Sequence, residues 1–521
     1  MGDSTTMRIR KIGTVIAAVA LAVGAVACNN DQITDLNVNP NNPTTAPAGP
    51  VFTYGVRVGV ARWLGSGYDK RGTEWVVQHL AEWQYPQEDQ YARLQGVDTQ
   101  GSFDGPYTAE LENLGKVAES GLQNGQVGIY GPALIMQTWN YDYLTDTFGD
   151  VPYSAALKGD SGIAGALSPA YDAQKDIYTG FFATLDKVRD DFANDTSHDS
   201  LSTADPIYDG SDRATELAQW HKFANSLLAR LAMRIVNVDP ATANAELTKA
   251  FSDPAGMITT VADEPTLKWP GDGVYDNGWG DDFKTRDDHR MSQTFMKILN
   301  DRLDPRTPIF AQPTQANPAV YAGMPNGLDN ATAGNYGQTA SKLGTIFYDV
   351  ARPSVLLTAA EVNFIMAEAA ERGMGGLTAA QAKGFYNAGI EASMAQWGVG
   401  AGAAVAYENS PLVAYAGGVA GQKQIAIQKY IALYGDGGQA WFEWRRTCQP
   451  NTLVAGPAAI VNFVPRRYEY STNEFSRNGA SVNAAIAAMG GDTFGTRMYW
   501  DKSPTAAPTY VDANSCEGVR P

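Results

Sequence analysis

Apolar side chains along this chain recur mostly three and four positions apart, the spacing of a helix that buries one face. The longest such run is Ala214 to Val238, where Leu217, Trp220, Phe223, Ala224, Leu227, Leu231 and Ile235 keep step. The same reading predicts helices over Val51–Leu64, Thr73–Trp83, Tyr107–Gly121 and Tyr130–Phe148, then one reaching about Phe192. A short helix follows at 242–252, another at Met291–Asp301, and two more at Thr358–Arg372 and Thr378–Trp397. Gly149 and Pro152 stop one helix, and Asp209-Gly210 turns into the longest. Thr358 with Glu361 has the form of a capping box. Near the C-terminus Ile427, Tyr430, Ile431 and Tyr434 share a face, Gly435, Gly437 and Gly438 break it, and Trp441, Phe442 and Trp444 follow. The pattern predicts an all-α chain of paired helices, a tetratricopeptide-like superhelix without that repeat's consensus.

One region departs from this. From 254 to 344 Gly, Asp, Pro and Asn dominate, which is long for a passive connection and marks a loop-rich functional insertion. Residues 452–521 are loop-rich too.

The N-terminus is of a different kind. Arg8, Arg10 and Lys11 precede the apolar run Ile12–Ala27, which ends at Ala25-Val26-Ala27-Cys28. That is a signal peptide over 1–27 with a lipobox-like end, although Leu is usual where Ala25 stands. Cys28 becomes the acylated first residue, and 28–50, rich in Asn, Pro and Thr, form a tether. Several acyl chains anchor a protein to a membrane stably. Ordinary cleavage leaving a free cysteine is the alternative. Residues 51–521 then form a single domain. Cys448 and Cys516, exported to an oxidising compartment, either pair or stay as free thiols. The net charge of −17 becomes −19 without residues 1–27, which carry three cations against Asp3. Such a surface repels phosphate backbones and argues against nucleic-acid binding.

Several passages carry a resemblance. Gln428–Gly435 and Gln439–Thr447 resemble the C-terminal signature of the SusD/RagB family of nutrient-binding outer-membrane lipoproteins. Asp35–Pro43, Phe148–Tyr153, Pro169–Gln174, Trp220–Leu227 with Arg230–Arg234, and Pro465–Asn478 resemble further family wording, in the family's order. Ser471 replaces a proline in the last of these. The resemblance implies about four tetratricopeptide-like helix pairs carrying a loop-rich ligand-binding part. It also implies a lipid-anchored protein on the outer face of the outer membrane. There it would bind oligosaccharide, or in some relatives peptide, and pass it to a SusC-like TonB-dependent transporter without chemistry.

Catalytic motifs are thin. Gly159-Asp160-Ser161-Gly162 spells a serine-protease-like tetrad, but a nucleophilic serine needs a positioned base, and the chain has only four histidines. His79 and Glu82 have a metal-site spacing on the predicted helix, without a second pair. Asp272, Asp276, Asp281 and Asp282 cluster off the EF-hand spacing. A structural calcium at Asp272, Asp276 and Asp281, a turn-building role, or a glycan hydrolase over Asp272–Asp282 are readings open to them; no other cofactor is expected. Loop aromatics are the better candidates for binding: Trp83, Tyr85 and Tyr91 among Gln and acidic residues, and Trp269, Tyr275, Trp279 and Phe283 around the acidic loop. Aromatic faces stack on the C–H faces of sugars or on peptide side chains, and neighbouring polar groups orient the ligand. A non-catalytic surface adhesin is the remaining alternative.

Overall fold

The computed structural model describes residues 46–159, 166–208, 212–501 and 518–520. The signal peptide, Cys28 and most of the tether, Asp160–Gly162 of the Gly-Asp-Ser-Gly stretch, the Asp209-Gly210 turn and Cys516 lie outside the described residues.

Helical spacing becomes helix almost throughout the body from Ala48 onward. The main helices are α1 (Ala48–Trp63), α2 (Gln100–Thr108), α3 (Glu110–Gln123), α4 (Val127–Phe148), α5 (Gln174–Ala193), α6 (Arg213–Arg234) and α7 (Pro240–Ser252). They continue with α8 (Gln293–Asp301), α9 (Ala359–Glu371), α10 (Ala379–Gln396), α11 (Ala401–Glu408), α12 (Gly418–Ala432) and α13 (Gly437–Thr447). Asp212 caps α6 by accepting from the Ala214 and Thr215 N–H groups, and Pro240 opens α7 where its missing N–H costs nothing. Neighbours in sequence are neighbours in space: α3 packs on α4, α4 on α5, α5 on α6, α6 on α7, α9 on α10, and α12 on α13. The architecture is therefore the all-α stack of helix pairs that the pattern predicts, with two tiny antiparallel sheets among the described residues, Leu80–Glu82 on His289–Met291 and Thr266–Leu267 on Ser354–Val355.

α4 lies at the centre and is buried on nearly every side, including its carboxylates Asp142 and Asp146. Those acids begin a buried ion network that accounts for the C-terminal signature. Arg234 of α6 reaches Asp146 (3.2 Å) and Glu443 (2.9 Å). Glu443 also holds Arg446 (2.6 Å) and Lys429 (3.3 Å), and Arg446 pairs with Glu368 of α9. Arg230 pairs with Glu361. Charges this deep hold together only because each meets several opposite partners. Gly435 (φ +97°) breaks the chain between α12 and α13, and Asp436 caps α13 from its side chain to the Gln439 N–H. Cys448, at the end of α13, is disulfide-bonded; Cys516, the partner considered from sequence, is outside the described residues.

Two expectations change. Thr73–Trp83 is not a helix: a π-helical segment (Ser66–Thr73) and one turn (Glu74–Val76) run into the Leu80–Glu82 strand. The strand's partner lies some two hundred residues away, so local periodicity could not show it. His79 and Glu82 therefore share no helix face; His79 binds Glu74 (2.8 Å) and the Tyr430 carbonyl (3.1 Å). The Thr358 cap forms, but Glu361 turns away to Arg230, so only half of that capping box exists.

Candidate functional site

The seven candidate aromatics separate into three environments. Trp83 and Tyr85 belong to a surface patch on the loop 83–91. Backbone angles here are unusual: Gln78 (φ +59°), Tyr85 (φ +57°) and Tyr91 (φ +74°) are all left-handed without being glycine. Such strain persists only where the surroundings hold it, and it concentrates at functional sites. The holding group is buried Asp89, whose carboxylate accepts from the N–H groups of Glu82 (3.3 Å) and Gly327 (2.9 Å) and from the Asn326 amide (2.8 Å). Burial pushes the Asp89 carboxyl up to about 7 and that of neighbouring Glu82 up to about 10. The result is a rigid loop that presents Tyr85, 67% exposed, between exposed Gln84 and Gln87. The Arg286 guanidinium lies 6.0 Å from the Tyr85 ring and that of Arg290 4.8 Å from the Trp83 ring. Trp83 is half-buried, its indole N–H on the Asp287 carbonyl (2.6 Å).

Tyr275 and Trp269 belong to a second place, a cleft of about 650 Å³ between α1 and the loop Gly271–Asp276. Tyr275 is half exposed; Trp269 is buried, bonded to Ser354 (3.0 Å), and contributes only to the cleft wall. Sequence reasoning missed the opposite wall, Tyr54 and Arg57. The signal was there: Phe52, Val56, Val60 and Trp63 form the buried stripe of α1, which leaves Tyr54 off it.

The other three rings are corrections. Tyr91 is buried in the core, its backbone turn being what the loop needs from it. Trp279 is wholly buried against Phe347 and Tyr434, with its N–H on Asp69 (3.1 Å). Phe283 stacks on Tyr348 (4.0 Å between ring centres) with the Lys70 ammonium over it (3.6 Å), so its faces are taken. The Gly-rich sequence around these last two looks like open loop but folds inward.

The acidic loop does four separate jobs. Asp272 accepts from the Val274 and Tyr275 N–H groups, Asp276 from Gly273 N–H and Lys284, and Asp281 from Lys284 (2.9 Å). Asp282 meets Lys70 (2.7 Å) and His289 (3.1 Å). Among the described residues no group of three or more His, Cys, Asp or Glu is placed to hold a metal ion, and Asp272, Asp276 and Asp281 are engaged with N–H groups and Lys284. A glycosidase needs one carboxyl held protonated near neutrality. Here the Tyr275 N–H holds Asp272 low, Lys284 holds Asp276 low, and His289 and Lys70 overcome burial to hold Asp282 low. The Asp272 bonds fix the backbone of the loop at Val274 and Tyr275.

Comparison with known proteins accords with this architecture. The profile of the family described as starch-binding, associating with outer membrane (SusD-like), matches residues 52–471. A chitin-binding SusD homologue from Flavobacterium johnsoniae superposes with a TM-score of 0.73 at 25% identity, over 87% of this chain and 97% of that one. SusD homologues from Bacteroides vulgatus (TM-score 0.71, 24% identity, 87% and 97% covered) and Bacteroides thetaiotaomicron (0.73, 22%, 87% and 98%) share the fold. A comparison with curated proteins returned no match. A family profile spanning most of the body, together with the helix-pair architecture, places this chain in the SusD-like family.

Proposed function

We propose that this protein is a lipid-anchored receptor on the outer face of the outer membrane that captures neutral oligosaccharides and passes them, without chemistry, to a SusC-like TonB-dependent transporter. The carrying observation is Tyr85, an aromatic ring held in solvent by a strained, internally braced loop and edged by Gln84, Gln87 and Arg286. A loop that keeps a left-handed tyrosine pays conformational energy for an exposed ring, which makes sense if the ring is used. Sugar C–H faces stack on it, and the amides and guanidinium orient hydroxyls. Acylation at Cys28, predicted from sequence, supplies the anchor, and the family's association with the outer membrane supports the location.

The test is calorimetry on the mature chain carrying Cys28→Ser to keep it in solution. Chitohexaose is the first probe, because a relative of the same fold binds chitin; maltohexaose and cellohexaose follow. Saturable binding of one of these, weakened by Tyr85→Ala, is expected. Binding indifferent to Tyr85, or recovery of cleaved sugar, would refute this reading. Co-purification of a TonB-dependent barrel with the lipidated protein from native membranes tests the partner.

A further inference from the structure

The cleft between α1 and the loop Gly271–Asp276 sets a tightly bent loop against a helix. Hydrophilic side chains of a tight loop ordinarily face water. In Gly271–Asp276 both carboxylates, Asp272 and Asp276, cap the loop's own N–H groups, and Gly271 (φ +67°) and Gly273 (φ +87°) permit the bend. Beside exposed Asp272 the loop presents Val274, at 76% exposure, and Tyr275, at 51%. Across the cleft stands Tyr54, 52% exposed on the solvent side of α1. One turn further along α1, the Arg57 guanidinium lies 5.2 Å from the Tyr275 ring centre. Its Nη1 has no hydrogen-bond partner among the described residues.

From this we infer that the Tyr54–Arg57–Tyr275 cleft is a second saccharide site, taking a neutral sugar segment that stacks on the tyrosines and accepts a hydrogen bond from Arg57. Its volume of about 650 Å³ is that of a small-ligand pocket. The choice of neutral over acidic sugar follows from charge. Arg57 already faces the field of Asp272, Lys284 is spent on Asp276 and Asp281, and the whole chain carries −17. The Asp276 carboxylate lines the same cleft, so a uronate brought to Arg57 would meet a like charge beside it, whereas a guanidinium N–H suits a hydroxyl or an acetamido carbonyl.

This inference rests on the saccharide-binding reading, and the experiment separates the two. Calorimetry of the Cys28→Ser mature chain is carried out with the neutral hexasaccharide that binds best, and with tetragalacturonate. Two sites are expected, with the stoichiometry falling by half in Tyr54→Ala/Tyr275→Ala. The Tyr85→Ala change should remove the other site and leave this one. Arg57→Gln should weaken the cleft site about tenfold, and tetragalacturonate should not occupy it. Both tyrosines are half exposed, so the double variant should fold; an unchanged melting temperature checks this. A single stoichiometric site indifferent to Tyr54 and Tyr275 would overturn the inference while sparing the Tyr85 site. Preferred binding of tetragalacturonate in the cleft would overturn the neutral assignment, and no saccharide binding at all would remove both readings. Concentration-dependent dimerisation abolished by Tyr54→Ala/Tyr275→Ala would give the cleft to a second copy and likewise overturn it.

Discussion

Tyr85 brings conformation and recognition into direct opposition. A left-handed tyrosine costs about 1–2 kcal/mol relative to glycine in the folded chain. Glycine gives back about 0.5–1 kcal/mol through its freer unfolded state. Tyr85→Gly should therefore leave the melting temperature within about 2 °C of the parent. The same change removes the exposed ring, so saccharide affinity should fall at least about tenfold, or ~1.4 kcal/mol. Calorimetry and thermal melts on one preparation decide the matter: if stability drops together with affinity, Tyr85 is a structural residue. Residue-level legibility in the sequence was uneven for an understandable reason. Tyr85 and Tyr275 stand beside polar or glycine neighbours and are exposed, but so do Trp279 and Phe283, which the fold buries against Phe347 and Tyr348. Local composition reports that a loop exists; only tertiary contacts decide which way its rings point.

Among elements, the loop 83–91 and the helix α13 depend on buried carboxylates in different ways. Asp89→Ala removes the one group that gathers the Glu82, Gly327 and Asn326 donors. Amide exchange over residues 82–91 should speed up sharply, and saccharide binding should weaken without any change to Tyr85 itself. Protection unchanged across that loop would show that Asp89 is not its brace. Glu443 instead answers three cations, Arg234, Arg446 and Lys429. Glu443→Gln removes the carboxylate they share and leaves Arg234 to Asp146, Arg446 to Glu368 and Lys429 to Glu361, which should cost about 3 kcal/mol in urea unfolding. Adding Lys429→Met should recover part of this, since it withdraws a cation left with Glu361 alone; full additivity would contradict the network. The helices were readable because their periodicity is local, and the signature around Glu443 was readable as wording. Its physical meaning was not, because Arg234, Glu361 and Glu368 come from α6 and α9, and sequence spacing carries no trace of that meeting. The Leu80–Glu82 strand failed for the same reason.

Over the whole molecule, buried ionisable groups pull stability in opposite directions with pH, and the balance can be worked out. Burial raises Asp89, Glu264 and Asp436 to about 7 each. Between their unfolded values near 4 and about 7, the folded protein holds protons that the unfolded chain has released, so stability falls as pH rises through that window. His79 and His289, lowered by burial to about 3 and about 4, act the other way: the unfolded chain binds their protons below about 6.5, so they add stability up to that pH and nothing beyond it. Glu368, held at about 2 despite its burial by Arg446 and Arg372, contributes in full above about 4.5 and loses its contribution only in acid. The histidine gain offsets part of the carboxylate loss until about pH 6.5, after which the carboxylates act alone. The melting temperature should accordingly be lower at pH 8 than at pH 6, and Asp436→Asn, which cannot ionise yet can still accept from the Gln439 N–H through its oxygen and donate its amide N–H to the Tyr143 hydroxyl, should flatten that decline. A melting temperature that rises from pH 6 to pH 8 would mean that these carboxyls are ionised in the fold at neutral pH, and that the interior around α4 and α13 is better supplied with positive charge than its ion pairs indicate.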